Sequence, residues 1–197
     1  MIKKLTLILI FLISGIAFAQ QADSRFELVI GPTVSKIVDE DLESIDFSFG
    51  LNGGFLYWIP VSSSTHLRIG ALYNQKGFKM SNVDGYGQDL KFTTNYLTIP
   101  AHITISTSPE NHLYFGPELN ILLSATVSDD DNSSKIDDGI SETDLSLAGG
   151  LTTYISEKVS LSLGVSYGLV KVLEISGYKD SHIGHNISFP INLGIAL

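Results

Sequence analysis

The sequence predicts an all-β chain: an eight-stranded antiparallel up-and-down transmembrane β-barrel. Three observations carry that reading. Long stretches alternate apolar residues with small or polar ones at period two, the connections between them alternate between short and long, and the acids gather in the long connections. Helical spacing does not compete in any window.

The first segment is an address. Lys3 and Lys4 form a positive start, Leu5 to Ile13 an apolar core, and Ala17-Phe18-Ala19 a small-residue cleavage site. Residues 1–19 are therefore expected to be a cleaved signal peptide and 20–197 the barrel domain. The competing reading, an uncleaved anchor, needs a longer apolar run. Cleavage removes two lysines and no acid, which moves the formal charge from −9 to −11. The chain has no cysteine, so disulfides, thiolate metal sites and a lipid-modified cysteine are excluded. Its acidic balance argues against a nucleic-acid partner, which would need a basic patch. Export without cysteine suits a bacterial envelope.

Strands follow in order. Alternation is weaker at 26–34, then clear at 47–59, where Phe47, Phe49, Leu51, Phe55, Tyr57 and Ile59 interleave with Ser48, Gly50, Asn52, Gly54 and Trp58. Segments 66–79 and 90–106 are weaker. From Leu113 to Val127 every odd position is apolar, while Gly116, Glu118, Asn120, Ser124 and Thr126 fall between them. Segment 144–155 is weaker again. Val159 to Leu169 and Ile187 to Leu197 alternate cleanly with serine, glycine and asparagine. Several segments exceed the 9–11 residues that a tilted membrane strand needs. Short turns are expected at 61–65, 107–111 and 156–158, and long loops at 35–46, 80–89, 128–142 and 174–185. Pro100, Pro117 and Pro190 interrupt strands, so bulges or missing ladder bonds are expected there.

A soluble barrel also alternates, but it would cover its outside with long solvated side chains. Here the polar face is mainly Ser, Gly, Asn and Thr, which suits the narrow interior of eight strands. Of 21 acids, 15 fall in the four long loops, and the apolar face of the best strands carries none. That is the distribution expected when Arg or Lys at the bilayer midplane costs about 2–4 kcal/mol. Phe47, Phe49, Tyr57, Tyr73, Phe115, Tyr167 and Phe189 share the lipid-facing parity near strand ends, as aromatic girdles do. The expected location is the bacterial outer membrane. The expected partners are outer-membrane lipid, lipopolysaccharide and the barrel-insertion machinery.

The stretches Tyr73-Asn-Gln-Lys-Gly77, Asn95-Tyr-Leu-Thr-Ile-Pro100, Tyr114-Phe-Gly-Pro-Glu118 and Leu147-Ala-Gly-Gly-Leu151 resemble the PorT-type outer-membrane β-barrel domain of Bacteroidota. The resemblance spans nearly all of 20–197, and its motifs are architectural rather than catalytic. It implies an outer-membrane barrel and, through PorT itself, secretion-system components as partners. Such barrels commonly end in an aromatic insertion signal, whereas Leu197 stands here.

Candidate chemistry is sparse. Gly164-Val-Ser166-Tyr-Gly168 matches the G-x-S-x-G elbow, which requires a strand-to-helix turn. Inside a strand it is a chance match. None of the five histidines shares a lipid-facing rim with a well-placed serine, so enzyme activity is not expected, and neither is a cofactor. Asp180, His182 and His185 are close enough in sequence to approach a metal, but spacing without a rigid scaffold does not make a site, and a solvated polar loop is the preferred reading. The acidic loop 128–142 lacks the glycine that an EF-hand requires. A solvated loop is the default reading, with weak, exchangeable divalent-ion binding that bridges to anionic lipopolysaccharide as the alternative. Glu27, Arg68, Lys76, Glu118 and Asp144 share the lumen parity, with His102 similar in type. Buried charges need partners, so an internal network centred on Arg68 and Glu118 is expected. It serves either as a plug that rigidifies the barrel or as a selectivity device. The expected role is structural or interactive: envelope integrity, adhesion or service to protein secretion. The alternatives are a narrow solute channel, a lipid-modifying enzyme and a soluble periplasmic barrel.

Overall fold

The computed structural model describes residues 24–38, 45–80, 89–129, 132–136, 139–174 and 182–197. The leader expected at 1–19 and the metal candidate Asp180 lie outside these residues. The strands are β1 (Arg25–Val38), β2 (Ile45–Pro60), β3 (Thr65–Met80), β4 (Leu90–Ser106), β5 (Asn111–Ser128), β6 (Ser133–Lys135), β7 (Thr143–Tyr154), β8 (Val159–Glu174) and β9 (His182–Ala196). Each long strand pairs antiparallel with its neighbours, β4 pairs with β5, and β9 returns to β1. The circuit is closed: an eight-stranded antiparallel barrel. Short β6 folds back on the end of β5, opposite Thr126 to Ser128, and takes no part in closure.

The alternation reads directly as two surfaces. Apolar residues on the outer parity stay exposed, as Phe49 (71%), Leu51 (60%) and Phe115 (56%) do. Their neighbours on the inner parity, such as Asn52, Ser146, Thr152, Ser160 and Ser188, are buried. An apolar exterior around a polar interior reverses a soluble protein and fits lipid as the surrounding solvent.

The strands run further than the alternation marked. β1 continues to Val38, β2 begins at Ile45, and β9 begins at His182 rather than 187. His182 and His185 therefore belong to a strand and not to the loop expected at 174–185, which is a correction. The reason is that a ladder is built from backbone groups. His185 pairs with Val38 on one side and Lys171 on the other whatever its side chain. The loop expected at 128–142 likewise contains β6.

Around Pro100 and Pro190 the ladders lose pairs without changing register. Ile69 pairs with Ala101 and Leu72 with Thr98, and the two positions between them are unpaired. Leu163 pairs with Ile191 and Ser166 with Ser188, with a matching gap across Pro190. True register shifts lie elsewhere: between Phe47 and Asn52, at Asn95/Tyr96, and between Tyr167 and Lys171. At the second of these, Asn95 pairs with Ser124 and Tyr96 with Leu122, so Leu123 is the extra residue. One extra residue reverses the parity beyond it. Ala125, on the lipid-facing parity by simple alternation, is buried inside as a result.

Two glycines show how tightly the interior is fitted. A Cβ at Gly164 would collide with the Tyr114 hydroxyl, and one at Gly150 would lie 2.7 Å from it. The phenol reaches across from β5 into a space that only glycine leaves open. Gly164→Val is expected to destabilise the barrel by about 1–3 kcal/mol through overpacking. Heat-modifiable migration on a gel, which shifts to the unfolded position at a lower temperature in the variant, checks it.

Candidate functional site in the lumen

Period two aims alternate side chains inward, and closure brings those from opposite strands within reach of one another. At the short-turn end, Glu27 of β1 meets Trp58 of β2. The indole Nε1 donates to Glu27 Oε2 at 2.8 Å. Tyr154 donates to Oε1 at 3.4 Å, and Ser160 Oγ donates to the same oxygen. The Arg25 guanidinium lies over both aromatic rings, 4.5 Å from the Trp58 and Tyr154 centroids. Glu27 is thus held by neutral donors, and Trp58 links it to the next layer, where the Arg68 guanidinium lies 5.3 Å from the centre of the indole.

In mid-barrel the expected pair, Arg68 and Glu118, is joined through a third residue. Arg68 Nη2 lies 3.1 Å from His102 Nδ1, and His102 Nε2 lies 3.1 Å from Glu118 Oε1. A guanidinium has no acceptor, so Nδ1 must be the accepting nitrogen. The ring proton then sits on Nε2 and is donated to the carboxylate. His102 is the neutral tautomer, bridging a cation to an anion. The other Glu118 oxygen accepts from Ser166 Oγ at 2.8 Å, and Arg68 Nη1 donates to Thr152 Oγ1 at 3.2 Å. Tyr114 completes the layer, its ring centre 3.9 Å from the guanidinium carbon.

Towards the long-loop end, Lys76 is buried with its ammonium 5.4 Å from the centre of the Tyr96 ring. The carboxylates whose field acts on it are Glu118 and then Asp144. Asp144 accepts from Ser146 Oγ at 3.4 Å. Asn120 donates to Ser146 at 2.7 Å while accepting from Thr98 at 2.7 Å. Above this layer the inner face turns apolar. Ile37, Phe78 and Val172 form a buried cluster backed by Ile45, Met80, Phe92 and Ile140, with Phe78 and Phe92 stacked at 4.6 Å.

All six charged positions singled out from the sequence thus face the lumen and are buried. Arg68, His102 and Glu118 are brought into one chain of hydrogen bonds; Glu27, Lys76 and Asp144 lie in adjoining layers. Parity alone did not reveal the apolar cap or the aromatic ring partners. Trp58 and Tyr114 stand on the lumen parity, and that was the signal available for them.

Ser166 lies within β8 and spends its hydroxyl on Glu118, so the G-x-S-x-G match forms no elbow. His185 contacts the Gly168 carbonyl at 3.0 Å through Nδ1 and stacks on Tyr167. The backbone of His182 pairs with Glu174. No group of three His, Cys, Asp or Glu suited to a metal occurs among the described residues.

The Glu118 carboxylate serves His102, Ser166 and the two nearby cations at once. Glu118→Ala is expected to cost about 3–5 kcal/mol, the loss typical of stranding a buried charge. Glu118→Gln, which keeps an acceptor, should lose less. Urea midpoints of the barrel refolded in lipid vesicles measure both, and a loss below about 1 kcal/mol for the alanine variant would contradict this pairing.

Comparison with solved structures agrees with this architecture. The chain is similar to the crystal structure of Neisserial surface protein A, with TM-score 0.55 and 15% identity over 86% of this chain and 96% of the other. It is also similar to Ail, the attachment invasion locus protein of Yersinia pestis, with TM-score 0.52 and 14% identity over 88% and 99%. At such identities the likeness is one of fold. No curated protein sequence matches the chain. The family model described as "Outer membrane protein beta-barrel domain" matches residues 18–174, so the chain belongs to the outer-membrane β-barrel domain family.

Proposed function

We propose that this barrel is a non-conducting, non-catalytic platform in the outer membrane, acting through its wall and its long loops. The observation that carries this reading is the filled interior. Trp58, Tyr96, Lys76 and Glu27 point into the lumen, yet each is below 2% exposed. A side chain bordering a water-filled bore would show accessible surface, and these show almost none. The apolar cap of Ile37, Phe78 and Val172 closes the long-loop mouth above them. Eight strands enclose a bore that side chains can fill, and here they fill it with buried polar and aromatic groups.

The lumen charges then act as a rigidifying plug rather than a selectivity filter. The partners belong outside: the lipid and lipopolysaccharide that surround the wall, the insertion machinery that delivers it, and proteins met by the loops. Within that role, the PorT-like motifs favour service to protein secretion, and the barrel's likeness to Ail, an attachment protein by its title, favours adhesion. The acidic loops restrict the second reading. One Ail structure is described as a complex with the heparin analogue sucrose octasulfate. Of the 21 acids, 15 fall in the long connections or at the strand ends bordering them and repel such a polyanion, so any adhesive partner here is neutral, basic or bridged by cations.

Planar-bilayer recording of the purified barrel tests the proposal. No reproducible conductance step is expected from the natural chain. Steady single-channel steps that vanish when the lumen charge pattern is altered, for example in Arg68→Gln, would establish the channel reading instead.

A further inference from the structure

At one place the wall lacks a barrel strand. β5 runs to Ser128 and β8 to Glu174, but β7, which lies between them, begins only at Thr143. Beyond the pair Ile121 and Thr143 the ladder between β5 and β7 ends, and β5 next pairs at Thr126, with Lys135 of β6. Two backbone bonds frame the gap. Leu122 N–H donates to the Glu142 carbonyl at 2.8 Å, and Ile136 N–H donates to the Ala125 carbonyl at 3.0 Å. Ser141 is drawn the other way, towards β8. Its N–H donates to the Val172 carbonyl at 2.9 Å and its hydroxyl to the Lys171 carbonyl at 3.0 Å. The extra residue of β5, Leu123, falls in the same stretch.

The gap is a half-open cavity of about 360 Å³, within the range of about 300–1,000 Å³ usual for small-molecule sites. Its lining has two parts. Ile121, Leu122, Leu123, Ile136 and Ile140 make an apolar part, and Lys135 and Glu142 supply one cation and one anion. Neither charge is held in an ion pair among the described residues. Ile140 also packs against the cap of Ile37, Phe78 and Val172, so the cavity ends where the cap begins and lies outside the bore.

The height of the cavity follows from a chain of hydrogen bonds along the outer wall. Ser124, at its edge, accepts from Asn95 Nδ2 at 2.9 Å, and the Tyr73 hydroxyl donates to Asn95 Oδ1 at 2.6 Å. Tyr73 belongs to the aromatic girdle, and such girdles mark the boundary between hydrocarbon and headgroups. The cavity therefore straddles that boundary, with Leu123 exposed on its lipid side. The two charges stand at different heights: Glu142 is level with Leu122, whereas Lys135 is level with Thr126, further out.

We propose that this cavity binds one single-chain amphiphile whose head carries an ammonium next to the chain and an anionic group beyond it. The ammonium meets Glu142, the anionic group meets Lys135, and the chain lies on Ile121, Leu123 and Ile140. The order of the protein's charges sets the order in the ligand, since a head with the reverse order brings like charges together. At about 30 Å³ for a group the size of water, the volume takes about a dozen such groups, which is one chain and not two. The site goes beyond the platform reading and leaves the bore closed.

The test uses the full barrel in lipid nanodiscs and two decyl probes, each with a diazirine at the end of the chain. One is a sulfobetaine, with the ammonium inside and the sulfonate outside; the other is a phosphocholine, with the reverse order. Photolabelled peptides are mapped by mass spectrometry. The sulfobetaine is expected to label 121–125 and 139–143 more strongly than the rest of the wall, and more strongly than the phosphocholine does. Thr143→Trp, which fills the cavity, is expected to lower that labelling about ten-fold, the effect of losing roughly two buried methylene groups. Lys135→Gln/Glu142→Gln should make the two probes equal, and Lys158→Gln, in a short turn, should change nothing. Unchanged heat-modifiability shows that a variant is folded, and the charge variant decides the matter where the tryptophan variant does not fold. Even labelling around the wall, or equal labelling of the natural chain by both probes, overturns the site. Neither result bears on conductance, so its failure is separable from that of the plugged-barrel reading.

Discussion

The structure depends on one constraint: inside hydrocarbon, every backbone N–H and C=O must find a partner within the protein. An open sheet leaves two unpaired edges, and the pairing of β9 with β1 removes both at once. Closure with eight strands then fixes a narrow bore. Because side chains alternate, half of every strand is delivered into that bore regardless of its chemistry. The glycines and serines of the inner parity answer this crowding, as does the fit of Tyr114 against Gly150 and Gly164. The charged residues answer a further demand. Once delivered into a closed space they must satisfy one another.

How they do so also explains why they are charged at all. A buried ion pair is weak evidence for stability, since well-packed apolar residues often do as well. What the pattern supplies here is register. Arg68 on β3 reaches Thr152 on β7, His102 on β4 bridges to Glu118 on β5, and Glu118 is tied to Ser166 on β8. These struts join five of the eight barrel strands across and around the bore. A one-residue slip of any of them would turn its polar group towards lipid and strand its partner. Apolar contacts are less discriminating. The neutral His102 tautomer adds directionality, because only one ordering of donor and acceptor satisfies both neighbours.

Much of this was legible in the sequence, since period two reports a face and a face is enough to predict closure, wall and lumen. The limits of that reading are physical. Alternation counts residues, and a bulge inserts one: beyond Leu123 the parity reverses, which is why Ala125 lies inside. Polarity marks a strand only where its two faces meet different surroundings. Near the long-loop rim both faces of β9 are mixed, so the strand ran unnoticed through His182 and His185, and a loop with a metal candidate stood in its place. Apolar residues on the lumen parity, Ile37 and Phe78, gave no sign that they would meet Val172 in a cap, because their meeting is set by closure and not by neighbours in the chain. The His102 bridge was out of reach for the same reason, although its two ends were not.

The same constraint sorts charge on the outside. Lipid excludes it from the middle of the wall, so the described basic residues that are not locked in the lumen stand where the strands leave the hydrocarbon. This order has a consequence for how such a barrel works. With the bonds that hold the strands in register made inside the barrel, changes in the loops need not disturb them. The wall and the loops are then free to vary independently of one another. The filled interior is what makes that separation possible, because the groups that hold the strands in register are buried inside the barrel and not in its loops.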